Sequence, residues 1–104
     1  MSWENNPVSS PEKYGFEYVG YIELDNEPWQ FYELAVLKND KGYYLTTDSG
    51  CSCPMPFESH TVDDLTGPLT AEQAREEVES LVHLAAMSGY SHPDDPSDLL
   101  ASIV

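Results

Sequence analysis

Two thiols and an imidazole sit close together in this 104-residue chain: Cys51, Cys53 and His60 fall within the stretch from Asp48 to His60, with Pro54 and Pro56 between them. Thiolate and imidazole hold zinc when three or four of them converge, so Cys51, Cys53 and His60 are candidate ligands for a structural zinc. Asp48, His83 and His92 are further candidates to complete the set. The sequence has none of the paired Cys-x-x-Cys knuckles that mark a zinc site strongly. Three other readings stand beside the metal. Reduced cysteines are among the most often buried residues and would help shape a tight turn. A disulfide between residues two apart would close a very small ring at unfavourable geometry. A reactive thiol would need His60 to lower its pKa, and no residue is placed to orient that histidine.

The second chemistry-bearing feature is charge. Nineteen Asp and Glu stand against three lysines and Arg75, a formal charge of −15. Such a chain repels nucleic acid and anionic membrane surfaces, so no direct nucleic-acid or membrane partner is expected; what the charge permits is a basic protein partner or none. The alternative is that acidity serves only solubility. Carboxylates crowd the second half, and we take Asp63, Asp64, Glu72, Glu76, Glu79, Asp94 and Asp95 as candidate partner-binding residues, whereas Lys13, Lys38 and Lys41 all precede Cys51. No spacing among the acids singles out a general acid and a base. The glycines are scattered singly, so no phosphate-cradling loop is present. Enzyme activity is not expected.

The elements that would position these groups follow from periodicity. From Phe16 to Leu24 the alternate positions Phe16, Tyr18, Gly20, Ile22 and Leu24 form one face of a half-buried strand, over about residues 16–25. Asp25-Asn26-Glu27-Pro28 breaks it. A second strand over about 29–38 is rich in aromatic and aliphatic residues, as a central strand should be. Asn39-Asp40-Lys41-Gly42 is a hairpin signal, and a third strand covers about 43–48. Residues 61–68 read as a connection with one helical turn near Val62 to Leu65.

Thr70 and Gln73 have the spacing of a capping box, Gly89 lies where a helix should stop, and Ala74, Val78, Leu81, Val82 and Ala85 form one stripe, so a helix is expected over about 71–88. Glu72, Glu76, Glu79 and His83 lie on its other face. Asp95 as cap and Pro96 at the first position mark a short terminal helix over about 96–103, with Leu99, Leu100 and Ile103 along one edge. A helix that short must dock to persist. The expected fold is α+β, a three-stranded antiparallel meander covered on one face by the long helix, with the short one as a lid.

A chain of this length makes a single domain, residues 1–104, with an irregular arm over 1–14 that Trp3 could pin to the body. There is no apolar run long enough to span a bilayer and no signal-peptide pattern at the start, so the expected compartment is cytoplasmic. The sheet face left uncovered by helix, bearing aromatics such as Tyr21, Tyr32 and Tyr44, is a second candidate surface for a partner or for homo-oligomer formation.

Four strings carry a resemblance: Tyr14-Gly15-Phe16-Glu17-Tyr18-Val19-Gly20, Trp29-Gln30-Phe31, Gly42-Tyr43-Tyr44 and, most specific, Asp48-Ser49-Gly50-Cys51-Ser52-Cys53-Pro54 running on through Pro56-Phe57-Glu58. Over about residues 14–81 the chain resembles a group of small uncharacterised acidic proteins from bacteriophages of actinobacteria. That resemblance brings no activity and no functional residue. It implies a phage product in the cytoplasm of its bacterial host, where a small acidic domain acts by binding a host protein. The expectation is a non-enzymatic interaction module for a basic host-protein surface, its carboxylates standing where the phosphates of a nucleic acid would. The alternative is a domain of unknown function stabilised by zinc at Cys51, Cys53 and His60.

Overall fold

The computed structural model describes residues 7, 8, 10–25, 30–51, 62–87 and 94–103. Four strands, β1 (Glu17–Asp25), β2 (Gln30–Asn39), β3 (Gly42–Cys51) and β4 (Thr66–Leu69), form one antiparallel sheet in the order β1-β2-β3-β4. Two helices follow, α1 (Ala71–Met87) and α2 (Ser97–Ser102). The α+β class, the meander and both helices are as expected, but the sheet has four strands and not three.

The hairpin between β2 and β3 forms as its residues dictate. Asn39 pairs with Gly42 across the two-residue loop Asp40-Lys41, and the Asn39 side-chain oxygen accepts the Lys41 N–H at 2.9 Å, closing an Asx turn. From there the register runs unbroken to Gln30 opposite Cys51, so β3 extends three residues beyond the expected limit at 48.

β4 is the element that periodicity misses. The stretch expected to be a connection does begin with a 3-10 turn at Val62–Asp64, but Thr66–Leu69 then pairs with β3 through Tyr43–Leu69 and Leu45–Thr66. Gly67-Pro68 reads as turn chemistry; an outermost strand nevertheless tolerates proline, because its outward N–H has no ladder partner to lose. β4 also lies tight against its neighbours. A Cβ on Gly42 would stand 2.6 Å from the Leu69 carbonyl oxygen, so the glycine that closes the hairpin also makes room for the fourth strand.

A second difference lies in β1. The register with β2 shifts between Tyr18 and Gly20, a β-bulge that interrupts the alternation read from Phe16 to Leu24. One extra residue sends everything before it to the opposite face. Ile22 and Leu24 stay in the core with Leu34, Val36, Tyr43 and Leu45, and Val19 packs against them, while Tyr18 is exposed and Phe16 meets the Tyr44 ring edge-on with centroids 4.9 Å apart.

Phe16, just before β1, thus touches β3 on the second face of the sheet. Ala35 and Leu37 on that face are fully buried, as is Pro7, so the face that no helix covers is closed over these residues. The arm expected to be irregular carries a 3-10 turn at Pro11–Tyr14. Of the three tyrosines assigned to an open face, Tyr21 is exposed there, Tyr44 is half-buried against Phe16, and Tyr32 instead turns to the helix side and packs on the core.

α1 covers the first face. Its capping box is formed: the Gln73 N–H donates to the Thr70 hydroxyl and the Thr70 N–H to the Gln73 side-chain oxygen, each at 3.1 Å. Ala74, Val78 and Ala85 are buried, with Leu81 and Val82 at the margin. Gly89, the expected stop, lies outside the described residues. α2 docks on the same core through buried Leu99 and Ile103. Among the described residues no helix is long and apolar enough to cross a membrane.

Candidate functional site

The metal candidates fall at the boundary of what the structure describes. Cys51 is the last residue of β3; Cys53, His60 and His92 lie outside the described residues. Asp48 lies within β3 and His83 is exposed on α1. Among the described residues no group of three or more His, Cys, Asp or Glu is arranged to hold a metal ion.

The acidic candidates are brought to three places. Glu72, Glu76 and Glu79 are exposed on the outer side of α1, opposite its buried stripe. Asp63 and Asp64 sit in the 3-10 turn before β4, held to the sheet by the buried Thr46 hydroxyl, which donates to the Asp64 carbonyl at 3.3 Å. Asp64 and Glu77 line a hollow of about 280 Å³ over Leu34, Leu45 and Leu81. Asp94 and Asp95 belong to the opposite margin of the sheet, where they meet β1.

There Asp94 behaves as the start of a further strand. Its N–H donates to the Glu23 carbonyl at 2.8 Å, and its carboxylate accepts the Glu23 N–H at 3.0 Å. The carboxylate thus takes the place of the carbonyl that a neighbouring strand would supply. The N-cap of α2 is Pro96 and not the expected Asp95; Asp95 instead closes a turn one residue ahead of it, its Oδ1 accepting the Ser97 hydroxyl at 2.6 Å and the Ser97 N–H at 3.0 Å, and these two bonds hold its carboxyl below the usual carboxylate range.

The sheet also aligns acids that the linear sequence does not group. Register sets Glu23 opposite Glu33 and Glu33 opposite Asp48, a row of three carboxylates across β1, β2 and β3. All three are half-buried. Burial foremost, then the charges of Glu23, Asp48 and Asp94, push the Glu33 carboxyl above its ordinary value. Beside it the Tyr18 phenol is pushed up to about 12 by burial, then by Tyr21 and by Glu33. The linear sequence offers Asp48 only as a candidate zinc ligand and does not group Glu23 or Glu33 with it. The signal lay in the hairpin: once Asp40-Lys41 is the loop, Glu33 must face Asp48.

Like charges directly opposite in a sheet are unfavourable, each pair by about 0.2–1 kcal/mol. The folded state raises the Glu33 pKa, so it binds that proton more tightly than the unfolded chain, and stability is fully present below the ordinary Glu range and lost as pH rises through the raised value. Glu33→Gln is therefore expected to raise the melting temperature at neutral pH by a few degrees, from about 0.5–1 kcal/mol of relieved repulsion. In thermal melts repeated at about pH 3, below the ordinary Glu range, the gain should shrink towards zero. A gain equal at both pH values would show that charge is not its cause.

An antiparallel sheet backed by a capped helix, with a partly covered second face and an excess of acidic side chains, defines a small α+β domain. The chain belongs to the family described as a domain of unknown function (DUF7574), whose pattern it matches over residues 5–104. No curated protein and no solved structure matches it.

Proposed function

We propose that the chain is a non-enzymatic interaction module that binds a basic surface of a host protein, with carboxylates taking positions that the phosphates of a nucleic acid would occupy. The observation that carries this reading is the charge of −15, which four cationic side chains cannot offset. Its distribution supports the same reading: Glu72, Glu76 and Glu79 point outward from α1, and Asp63, Asp64 and Asp95 are exposed. The ion pair Lys38–Glu17, at 3.3 Å, uses one of the few cations within the domain itself. The setting we propose is the cytoplasm of an actinobacterial host of a phage, on the strength of the Asp48 to Pro54 string.

Steering by such a field speeds association and fades with ionic strength. Affinity purification of the tagged chain from an actinobacterial lysate, followed by mass spectrometry, should recover a basic nucleic-acid-binding protein at about 50 mM salt. Recovery should fall sharply by about 500 mM, where the screening length is only a few ångströms. Duplex DNA added to the lysate should compete for that protein. Recovery of no basic protein at either salt concentration, or recovery indifferent to both salt and DNA, would overturn the reading.

A further inference from the structure

Among the described residues the outer edge of β1 is only partly closed. Both the N–H and the C=O of Glu23 are engaged by Asp94, so at Glu23 the main chain directs its hydrogen-bonding groups away from β2. The pairing of Tyr21, Ile22 and Glu23 with Ala35, Leu34 and Glu33 is unbroken. In a strand with unbroken pairing these groups alternate sides. Tyr21, two residues before Glu23, therefore presents its N–H and C=O to the same outer side. That position opens into a groove of about 410 Å³ between β1 and α2, lined by Tyr21, Ile22, Asp94, Asp95, Asp98 and Leu99 among others. The groove floor is close-packed, since a Cβ on Gly20 would stand 3.1 Å from the Leu99 Cδ1.

We propose, resting on the basic-partner reading above, that the partner enters as an extended segment with alternating Arg or Lys, adding a strand to the β1 edge at Tyr21 and setting its cations over Asp95 and Asp98. Main-chain bonds supply affinity in this mode, and the side chains on alternate positions supply specificity. Asp94 has already begun the ladder, and the incoming strand continues it. The exposed Tyr21 ring, 54% accessible, offers a face on which a guanidinium can lie. Charge selects the occupant. A second copy of this chain, also at −15, would bring Asp94, Asp95 and Asp98 of both molecules together at the shared edge, which like-charge repulsion opposes.

The test uses the full-length protein and three capped peptides of sequence Arg-Val-Arg-Val-Arg-Val-Arg: one unmodified, one N-methylated at the arginines and one N-methylated at the valines. In an added strand only one alternate set of amides faces the protein. One methylated peptide should bind as the parent does, and the other should bind at least about tenfold more weakly. Hydrogen exchange at the Tyr21 amide should slow on adding the parent. Equal affinity for all three peptides, or a Tyr21 amide whose exchange does not change, would overturn strand addition while leaving a basic partner standing. Failure of the parent to bind at about 50 mM salt would also overturn it, leaving the lysate experiment to judge the broader reading. A concentration-dependent dimer that protects the Tyr21 amide without peptide would overturn the choice of occupant.

Discussion

Ile103→Ala is expected to lower folding stability by about 2–4 kcal/mol, the range for removing a large aliphatic side chain from a close-packed site. For a domain of this size that is on the order of 10–20 °C in Tm. Burial is the reason: Ile103 is fully buried in the same cluster as Ile22, Leu34 and Val78, and its N–H donates to the Leu100 carbonyl at 3.1 Å. A six-residue helix has no stability of its own, so what holds α2 is the burial of Ile103 and Leu99, the Asp95–Ser97 turn ahead of it and the Asp94–Glu23 bridge. Urea unfolding measures the effect, with Ala101→Ser on the exposed side as a control expected to stay within about 0.5 kcal/mol of the parent. A loss for Ile103→Ala no larger than that control would mean that α2 is not part of the cooperative unit.

The same docking bears on function. If Ile103→Ala loosens α2, the groove at the β1 edge loses one wall, so a peptide bound there should weaken along with the fold. Substitutions on the outer side of α1, such as Glu76→Gln, leave that wall intact. Edge binding and diffuse charge attraction thus respond to different residues, although both draw on the acidity of the chain.

What was legible in the sequence was whatever one local pattern decides. Thr70 and Gln73 mark the start of α1 because a capping box is written in two residues, and Asn39 to Gly42 mark the hairpin because the turn demands those side chains. Illegible were features set by contacts between distant segments. The bulge at β1 adds one residue without a local signature, and it moves Phe16 and Tyr18 to the face opposite the one their alternation implies. β4 has four residues, two of them Gly67 and Pro68, and is a strand only because β3 offers it an edge. The acidic candidates share this division: Glu72, Glu76 and Glu79 could be placed by helical spacing alone, whereas the row Glu23, Glu33 and Asp48 exists only through register. Cys53 and His60 lie outside the described residues, so the zinc alternative keeps the standing that its spacing gives it.

Gly67→Ala is expected to cost about 2–4 kcal/mol, and a comparison with Gly15→Ala isolates the reason. Both glycines have positive φ, 157° at Gly67 and 82° at Gly15. At Gly15 a Cβ would meet nothing within 4 Å, so the substitution carries only the conformational penalty of a left-handed residue, about 1 kcal/mol. At Gly67 the Cβ would stand 2.5 Å from the Tyr43 carbonyl oxygen and 2.7 Å from a Tyr44 ring carbon. Backbone cannot yield there without separating β4 from β3, and forcing volume into a filled site costs about 1–3 kcal/mol beyond the conformational term. Separation would also disturb the start of α1, since Thr70 is the only residue between β4 and that helix. Urea unfolding of both variants, with hydrogen exchange at Tyr43 and Leu45, tests the point. The expected result is a clearly larger loss at Gly67, with faster exchange on the side of β3 that faces β4. Equal losses at the two sites, with unchanged exchange along β3, would mean that the fourth strand is not held against the sheet.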